Sequence, residues 1–304
     1  MSKHFRRLPA LAAAVLIAVL ALAGCGSGKK GSDDAQALLK QTFTGPHRVD
    51  SGRLALALTL NSGAQKGLDV SVSGPFERGK TGEVPRLALR LMARSPKTSV
   101  DAGLTSTATQ LFVQRSGQNY VLPAAAFSLL QQSYRSSAAQ SGGKPLLSRL
   151  GVALKWLRDP KVAGDADVGG TPTRHITASI DVKALLADIG SLAERAKALP
   201  IPSGKLPDFS PEQRDRLEKA VKETSVDVFT GKDDKTIRRL TLRLRLQAAP
   251  AQGSGAGLPP TDVSFTLELS SLNQPQSITA PANAKPLNQL PGGGLGGLGT
   301  LGGS

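Results

Sequence analysis

Residues 53–60 are RLALALTL, and this stretch decides the fold class. Every second residue is a leucine, while the residues between are small or polar. Side chains of a β-strand alternate between the two faces of a sheet, so this period of two predicts a strand with one apolar face. The same alternation recurs at 67–74 (GLDVSVSG) and at 85–93 (PRLALRLMA).

The rest of the chain divides into a helical middle and a second set of strands. Further strands are predicted at 102–115, 118–122, 162–168, 171–180, 225–230, 236–247 and 262–269. Helices are predicted at 35–43, 123–136, 145–159 and 181–199, and another begins at Ser210. Asp159-Pro160 is expected to stop one helix, Asp181 to cap the next, and Ser210 with Gln213 to form a capping box. One-sided strands in short succession indicate an antiparallel sheet within an α+β fold.

The N-terminus has the features of an export signal. Three basic residues precede the apolar run 8–23, which is shorter than the roughly 20 residues of a transmembrane helix. The run ends in Leu22-Ala23-Gly24-Cys25, which resembles the lipobox of bacterial lipoproteins. That resemblance implies cleavage before Cys25 and a diacylglyceryl group on its sulfur. The alternative is an ordinary signal peptide followed by an incidental cysteine.

Composition excludes several classes of site. Cys25 is the only cysteine, so disulfides and cysteine-based zinc sites are excluded. Beyond the signal the only histidines are His47 and His175, so we expect neither a metal site nor a cofactor. The net charge is +15, and it is +12 once the three basic residues of the signal are removed. Such a charge favours contact with anionic lipid headgroups or acidic wall polymers, and an exported protein is not expected to meet nucleic acid. A generally basic, solvated surface is the alternative.

No catalytic machinery is recognisable, and we predict that the chain is not an enzyme. The nearest stretch to G-x-S-x-G is 139–143, which begins with alanine. His175 lies in a predicted strand without an identifiable acidic partner. The carboxylate pairs 165/167 and 233/234 lie beside turns, where aspartate is common for backbone reasons. Three arginines line one strand face and are suited either to lipid phosphates or to a solvated outer surface: Arg239, Arg243 and Arg245.

Several motifs together resemble one family of exported proteins. They are the lipobox, the strand opening SGRLALAL, LFVQRSGQNYVLP at 111–123, GGTPTRHITASIDVKAL at 169–185, and the closing strands VDVFTGKDDKTIRRLTLRLRL and VSFTLELSSLNQPQSITAP. In order and spacing they resemble the LppX/LprG-type lipoproteins of actinobacteria, which share the LolA-like fold. The resemblance implies an open, curved antiparallel sheet, a half-barrel of about 9–11 strands, with helices packed on its concave face. It also implies a hydrophobic cavity for acylated lipids or glycolipids.

The residue composition and the resemblance together give the expected domains. We expect a signal peptide at 1–24, a lipidated Cys25 with a flexible tether to residue 34, a LolA/LppX-like domain at 35–286, and a disordered glycine-rich tail at 287–304. The chain would be a monomer on the extracytoplasmic face of the cell membrane, where Cys25 anchors it.

The predicted function is the binding of a lipid or acylated glycolipid, for carriage or presentation. Few aromatic residues (4%) are available to fill the space against the sheet, which favours a cavity. The predicted lining residues are Leu56, Leu58, Val70, Val72, Leu89, Leu91, Phe127, Leu130 and Trp156. The alternative is a filled core, since alternating leucines bury one face of any sheet. The chain would then be a structural or interaction lipoprotein that binds an envelope protein or an acidic polymer through its basic surface.

Overall fold

A computed structural model describes residues 28–63, 65–80, 82–140, 154–188, 211–247 and 260–290. The helices are α1 (Gly28–Thr44), α2 (Ala124–Gln140) and α3 (Pro211–Ala220), with a shorter helical segment at 182–188 and a 3₁₀ turn at Leu287–Gln289. The strands are β1 (Ser51–Ser62), β2 (Gln65–Glu77), β3 (Arg86–Arg94), β4 (Ser99–Ser106), β5 (Leu111–Arg115), β6 (Gln118–Val121), β7 (Leu157–Val168), β8 (Thr171–Ile180), β9 (Val221–Gly231), β10 (Ile237–Leu246), β11 (Thr261–Ser270) and β12 (Lys285–Pro286).

All twelve strands belong to one sheet, in the order β12-β6-β5-β4-β3-β2-β1-β11-β10-β9-β8-β7. Neighbours are antiparallel except for β6 and β12, which are parallel. The edge strands β7 and β12 do not pair with each other, so the sheet is open. The prediction of an α+β fold on an open sheet is confirmed, although the sheet has twelve strands rather than about 9–11.

One of the additional strands comes from a turn that the sequence does not signal. Residues 102–115, predicted as a single strand, form β4 and β5 with a turn between them. The turn is closed by the Thr107 N–H, which donates to the Gln110 carbonyl over 3.0 Å. Ala108 takes a φ of 69° there, in the left-handed region that usually selects glycine or asparagine. The other additional strand is β12, which has two residues.

Strand register divides the sheet into two faces. Directly opposed residues of antiparallel strands point to the same side, so the pairing can be followed from strand to strand. One continuous row is apolar and defines what we call the inner face: Ile176, Val228, Leu240, Leu267, Leu56, Val72, Leu91 and Ala102. The other side, the outer face, carries most of the charged side chains of these strands.

Helix α1 covers the inner face of β7 to β11, which we call the covered half. Its apolar residues recur three and four positions apart, so they form one stripe along the helix. Ala35, Leu39 and Phe43 of this stripe are buried together with Ile176 and Val228 of the sheet, both of which are 0% exposed. Removal of each large side chain from water contributes about 1.5–3 kcal/mol, so this cluster is the main core of the chain.

A second cluster lies at the opposite edge of the sheet. It contains seven buried residues, which we call the far-edge cluster: Val84, Val113, Tyr120, Leu122, Phe127, Leu287 and Leu290. Phe127 belongs to the first turns of α2, and Val113 and Tyr120 belong to β5 and β6. Helices therefore pack on the same face of the sheet at both ends of the strand order.

Three predicted boundaries are wrong. Helix α1 begins at Gly28 instead of residue 35, so residues 28–34 of the predicted tether are helical. Once its packed turns are fixed, a helix extends at little cost per residue. The predicted tail begins too early, because Leu287 and Leu290 are buried at 4% and 3% exposure. Residues 1–27 and 291–304 lie outside the described residues.

The third wrong boundary is the helix predicted at 145–159. Residues 145–153 lie outside the described part of the chain, and β7 already begins at Leu157. Asp159-Pro160 therefore lies inside a strand, at a register shift where Asp159 has a φ of 49°. Proline is tolerated there because β7 is an edge strand and can carry an irregularity.

Two predicted helix starts agree with the described structure. The Asp181 carboxylate accepts a hydrogen bond from the Ala184 N–H over 2.9 Å and so caps the segment 182–188, although the predicted end at 199 is not described. This hydrogen bond, together with Arg158, holds the pKa of Asp181 below its ordinary value. Pro211 is the first residue of α3, while the capping residue Ser210 itself lies outside the described residues.

Candidate functional site

The inner face of β1 to β4 is the part of the sheet that the described helices do not bury, and we call it the open half. Register brings the predicted lining residues of the strands together. Leu56 lies opposite Val72, which lies opposite Leu91, and Leu58 lies opposite Val70. Leu89 lies in β3 opposite Leu104 of β4. Six of the nine predicted residues therefore form one apolar surface across three adjacent strands.

The packing of these six residues separates the open half from the two cores. Leu56 packs against the covered-half cluster and forms the border. The other five belong to neither cluster and are half-buried: Leu58, Val70, Val72, Leu89 and Leu91. Leu104 next to them is 38% exposed. In the covered half, inner-face residues such as Ile176 and Val228 are buried, and half-buried ones such as Leu240 still pack against the core cluster. Within the described residues, the five residues of the open half pack against neither cluster.

Helix α2 flanks this surface and is attached mainly at its start. Phe127 is buried in the far-edge cluster, whereas Leu130 and Tyr134, one and two turns further on, are 39% and 38% exposed. Towards the end of the helix the Arg135 Nε donates to the Gly82 carbonyl over 3.3 Å. The helix thus crosses from β6 towards the loop between β2 and β3, and it leaves apolar side chains without a packing partner in the described core.

Phe127 and Trp156 occupy separate places, and neither joins the open half. Phe127 lies in the far-edge cluster, and Trp156 packs against the covered-half cluster. The Trp156 indole N–H donates to an Asp188 carboxylate oxygen over 2.8 Å, which ties it to the helical segment 182–188. The structure therefore groups six strand residues, places Leu130 on a neighbouring helix, and assigns Phe127 and Trp156 to the flanking cores.

Ser106 is an inner-face residue that the sequence did not single out. It follows Leu104 by two positions on β4 and so points to the same side. The residue is 1% exposed, and its hydroxyl has no hydrogen-bond partner. A buried hydroxyl without a partner costs about 1–3 kcal/mol.

The arginines of β10 are neutralised by partners on neighbouring strands. Arg239 pairs with Glu268 at 2.8 Å, Arg243 with Asp227 at 2.8 Å, and Arg245 with Asp262 at 3.0 Å. Cross-strand pairs of opposite charge stabilise a sheet locally. These side chains lie on the outer face, away from the open half. The interpretation as a solvated outer surface therefore fits the geometry better than phosphate binding by these three residues.

His175 has an acidic partner that sequence reasoning missed. Its Nε2 lies 2.8 Å from the Asp227 carboxylate, and its ring stacks on Phe229 with a centroid separation of 4.3 Å. The Arg239 guanidinium lies over the Phe229 ring, 5.7 Å from the ring centre. His175 and Phe229 are opposed in register, which explains the stack. The pair is a cross-strand contact of the outer face, and sequence alone does not give the register that creates it.

Other features of the described residues do not suggest a different site. A depression of about 340 Å³ beside α3 has Asp215, Glu218 and Lys219 in its lining, none of which is a predicted lining residue. Within the described ranges, no three histidine, cysteine or carboxylate side chains are grouped to hold a metal ion. Among the helices described, none has the length and apolar character needed to cross a membrane.

Comparison with known proteins gives similarity at the level of fold. No protein-family model matches the chain, and no curated protein matches it. LprF from Mycobacterium bovis is 14% identical, with a TM-score of 0.44, over 83% of this chain and 99% of that protein. The lipoprotein LppX of Mycobacterium tuberculosis is also 14% identical, with a TM-score of 0.38, over 81% and 99%. A LolA-superfamily protein from Nitrosomonas europaea is 9% identical, with a TM-score of 0.19, over 80% and 94%.

These matches include two mycobacterial lipoproteins and a LolA-superfamily protein, the kinds of protein that the sequence motifs resemble.

Proposed function

We propose that the chain is a cell-envelope lipoprotein that binds the acyl chains of a lipid or acylated glycolipid on its open half, for carriage or presentation. Cys25 would anchor it to the extracytoplasmic face of the cell membrane through a lipid on its sulfur, and the protein would act as a monomer. The proposal assigns no reaction to the chain and needs no cofactor.

One observation carries this proposal. Five predicted lining residues of β1 to β3 lie side by side on the inner face and belong to neither buried cluster. In a folded protein such a row normally completes a core, as the same rows do over β8 to β11. A contiguous apolar surface that stays half-exposed beside two filled cores indicates an interaction site for an apolar partner.

The free energy gained by burying methylene groups on the open half is sufficient to bind an acyl ligand. Neighbouring strands are about 4.8 Å apart, so the face from β1 to β4 is about 14 Å wide. Each methylene group removed from water contributes about 0.8 kcal/mol, so ten buried methylenes offer about 8 kcal/mol before the costs of binding. A ligand with one or more acyl chains therefore fits this face.

The decisive experiment compares lipid content in matched variants. The full chain, Val72→Trp and Ala57→Trp are expressed with their own N-terminus, purified from membranes in a detergent that is not a lipid, and examined by native mass spectrometry and organic extraction. Val72 lies in the middle of the open half, while Ala57 is exposed on the outer face of β1. We expect stoichiometric lipid on the wild type and on Ala57→Trp, and a loss of at least about tenfold in Val72→Trp because the indole fills the acyl site.

Two results would contradict the proposal. The wild type could carry no lipid and take none up when lipids are offered, or Val72→Trp could retain as much lipid as Ala57→Trp. The anchor is tested separately by Cys25→Ser, which should remove the acyl mass from the N-terminal peptide. Retention of that mass would contradict the assignment of Cys25.

A further inference from the structure

We propose that the exposed surface of α2, together with the loop between β2 and β3, docks onto an anionic lipid bilayer. The docking surface consists of Leu129, Leu130, Tyr134 and Arg135 of α2 with Arg78 and Lys80 of the loop. The docking proposal rests on the proposed function only for the role of docking, which is to let lipid pass between a bilayer and the open half. The docking itself is tested independently of cargo.

Exposed large apolar side chains are concentrated on this helix. Within the described residues four such side chains are exposed, and three of them belong to α2. Leu129 is the most exposed of all at 68%. Single exposed leucines are ordinary on a protein surface. Here Leu130 and Tyr134 lie four positions apart on one face, and Leu129 is about 100° around the helix from Leu130, so the exposed surface of the helix is apolar over a wide arc. Leucine buries in the acyl boundary of a bilayer, and tyrosine is enriched at its interface.

The electrostatics of the patch select a bilayer over a generic polar partner. Helix α2 has the sequence AAAFSLLQQSYRSSAAQ, in which Arg135 is the only charged residue. A solvated surface helix normally carries charges of both signs, whereas this one contributes no carboxylate that an anionic headgroup would repel. The uncharged serine and glutamine side chains around the leucines can also enter a headgroup layer without stranding a charge.

The adjoining loops add further positive charge. Arg135 reaches Gly82, so the second half of α2 lies beside the loop that carries Arg78 and Lys80. The Arg78 side chain is 52% exposed, and Lys80 is exposed as well. Arg48 in the neighbouring loop is 81% exposed and shares Asp50 with Arg78 at 2.6 and 3.8 Å. These four cations face two carboxylates, Asp50 and Glu83, so the edge of the patch is positive overall.

The position of the patch relates it to the open half. The loop that carries Arg78 and Lys80 joins β2 to β3, and these strands present Val70, Val72 and Leu91 on the inner face. An acyl chain that leaves a bilayer at α2 would therefore meet the open half without crossing bulk water. Exposure of methylene groups to water costs about 0.8 kcal/mol each, so such a path lowers the barrier to transfer.

The test places a fluorophore on the patch in the anchored full chain. A bimane label at Leu129→Cys is compared with one at Ala57→Cys, an exposed position on the outer face, and the wild type gives the background from Cys25. Each protein is reconstituted into phosphatidylcholine vesicles and into vesicles with ~30% phosphatidylglycerol, which supplies the anionic surface. Quenching by doxyl-labelled lipid reports contact with the acyl region.

We expect at least about twofold stronger quenching at residue 129 than at residue 57, and a further increase with phosphatidylglycerol that is lost in the double variant Arg78→Gln/Lys80→Gln. Equal quenching at both positions would overturn the proposal, and so would a cross-linked dimer through Leu129→Cys, which would assign the patch to a second copy of the chain. Lipid content is measured in the same samples. An empty chain that still shows the signal would contradict the proposed function alone, whereas a loaded chain without it would contradict docking alone.

Discussion

The two halves of the inner face have the same sequence pattern and different surroundings. Over β8 to β11, alternating apolar residues such as Ile176 and Val228 are 0% exposed beneath α1. Over β1 to β4, residues with the same alternation, such as Val72 and Leu91, are half-buried and belong to neither core cluster. The covered half is therefore held by side-chain burial, and the open half depends more on its backbone pairing. An alternating pattern thus shows that a face is apolar without showing what covers it.

The largest loss of stability in the open half is expected from a substitution that strains its backbone. A side chain at Gly74 would collide with the carbonyl of Ala88 on β3, and Gly74 has a φ of +153°. We expect Gly74→Ala to lower the free energy of unfolding by about 3 kcal/mol. Gly164→Ala is the matched control, because Gly164 has a φ of +140° and no atom lies within 4 Å of the added Cβ. Its expected cost is about 1 kcal/mol. Equal losses in urea unfolding would show that the close approach to Ala88 is unimportant.

The difference between the two halves is tested by changing one inner-face valine of each half to alanine. Val228→Ala should lower the free energy of unfolding by about 2.5 kcal/mol, because it removes a fully buried side chain and leaves a cavity. Val72→Ala removes the same atoms from a half-buried position, and we expect a loss of about 1 kcal/mol or less in lipid-free protein. Denaturant titration of both variants measures the difference. Similar values would mean that the open half is packed as tightly as the covered half.

A smaller effect is expected at the cap that closes one end of the covered half. The Asp181 side chain accepts from the Ala184 N–H, and the Asp181 N–H donates to the Trp156 carbonyl over 2.6 Å. Asp181→Ala should lower the stability measured by thermal or urea unfolding, by less than Val228→Ala does. Asp181→Asn keeps a capping oxygen and should retain most of the stability. A large loss in the asparagine variant would instead point to the ion pair with Arg158.

The smallest effects concern the outer face, where the two halves are alike. Arg90 in the open half lowers the pKa of Asp101, and Lys232 beside the covered half lowers the pKa of Asp165, both from an ordinary value of 3.8. A carboxylate with a lowered pKa stabilises the fold above its ordinary pKa, and this contribution is lost as the pH falls through the folded value. The melting temperature should therefore fall as the pH is lowered below about 4.

Two variants check this pH dependence. Asp101→Asn and Asp165→Asn should each reduce the acid-induced fall in melting temperature slightly and by similar amounts, because both carboxyls are exposed. Melting curves recorded at low ionic strength over pH ~2.5–5, the range in which carboxyl groups titrate, measure the effect. A much larger change in one variant would contradict the view that the outer face is uniform.

Much of the sheet is predictable because period-two alternation is a local signal. It located the central residues of β1, β2 and β3, and it identified which side chains share a face. The additional strand boundary at Ala108 was not predictable, because alanine gives no local sign that it will take a positive φ. The same is true of Asp159-Pro160, which favours the end of a helix locally and is accepted in an edge strand because of the sheet order.

The candidate site is harder to predict from the sequence, because it depends on strand register and on which helices pack over each part of the sheet. Leu58 and Val70 are predicted to share a face, and the structure brings them opposite each other. Nothing local indicates that Phe127 belongs to a filled cluster or that Trp156 bonds to Asp188, since those contacts depend on where helices pack. The pairing of His175 with Asp227 is another contact between separate strands, 52 residues apart.

Strict alternation across β1 to β4 has a consequence for how this part of the gene can change in length. One inserted or deleted residue inside β2 would reverse every side chain beyond it, so that Ser71 and Ser73 would take the place of Val70 and Val72. Two inserted residues would restore the original orientation and lengthen the strand by about 6.8 Å. Tolerated length variants within these strands should therefore occur in steps of two codons, whereas the turn 107–110 between β4 and β5 can accept single-residue changes.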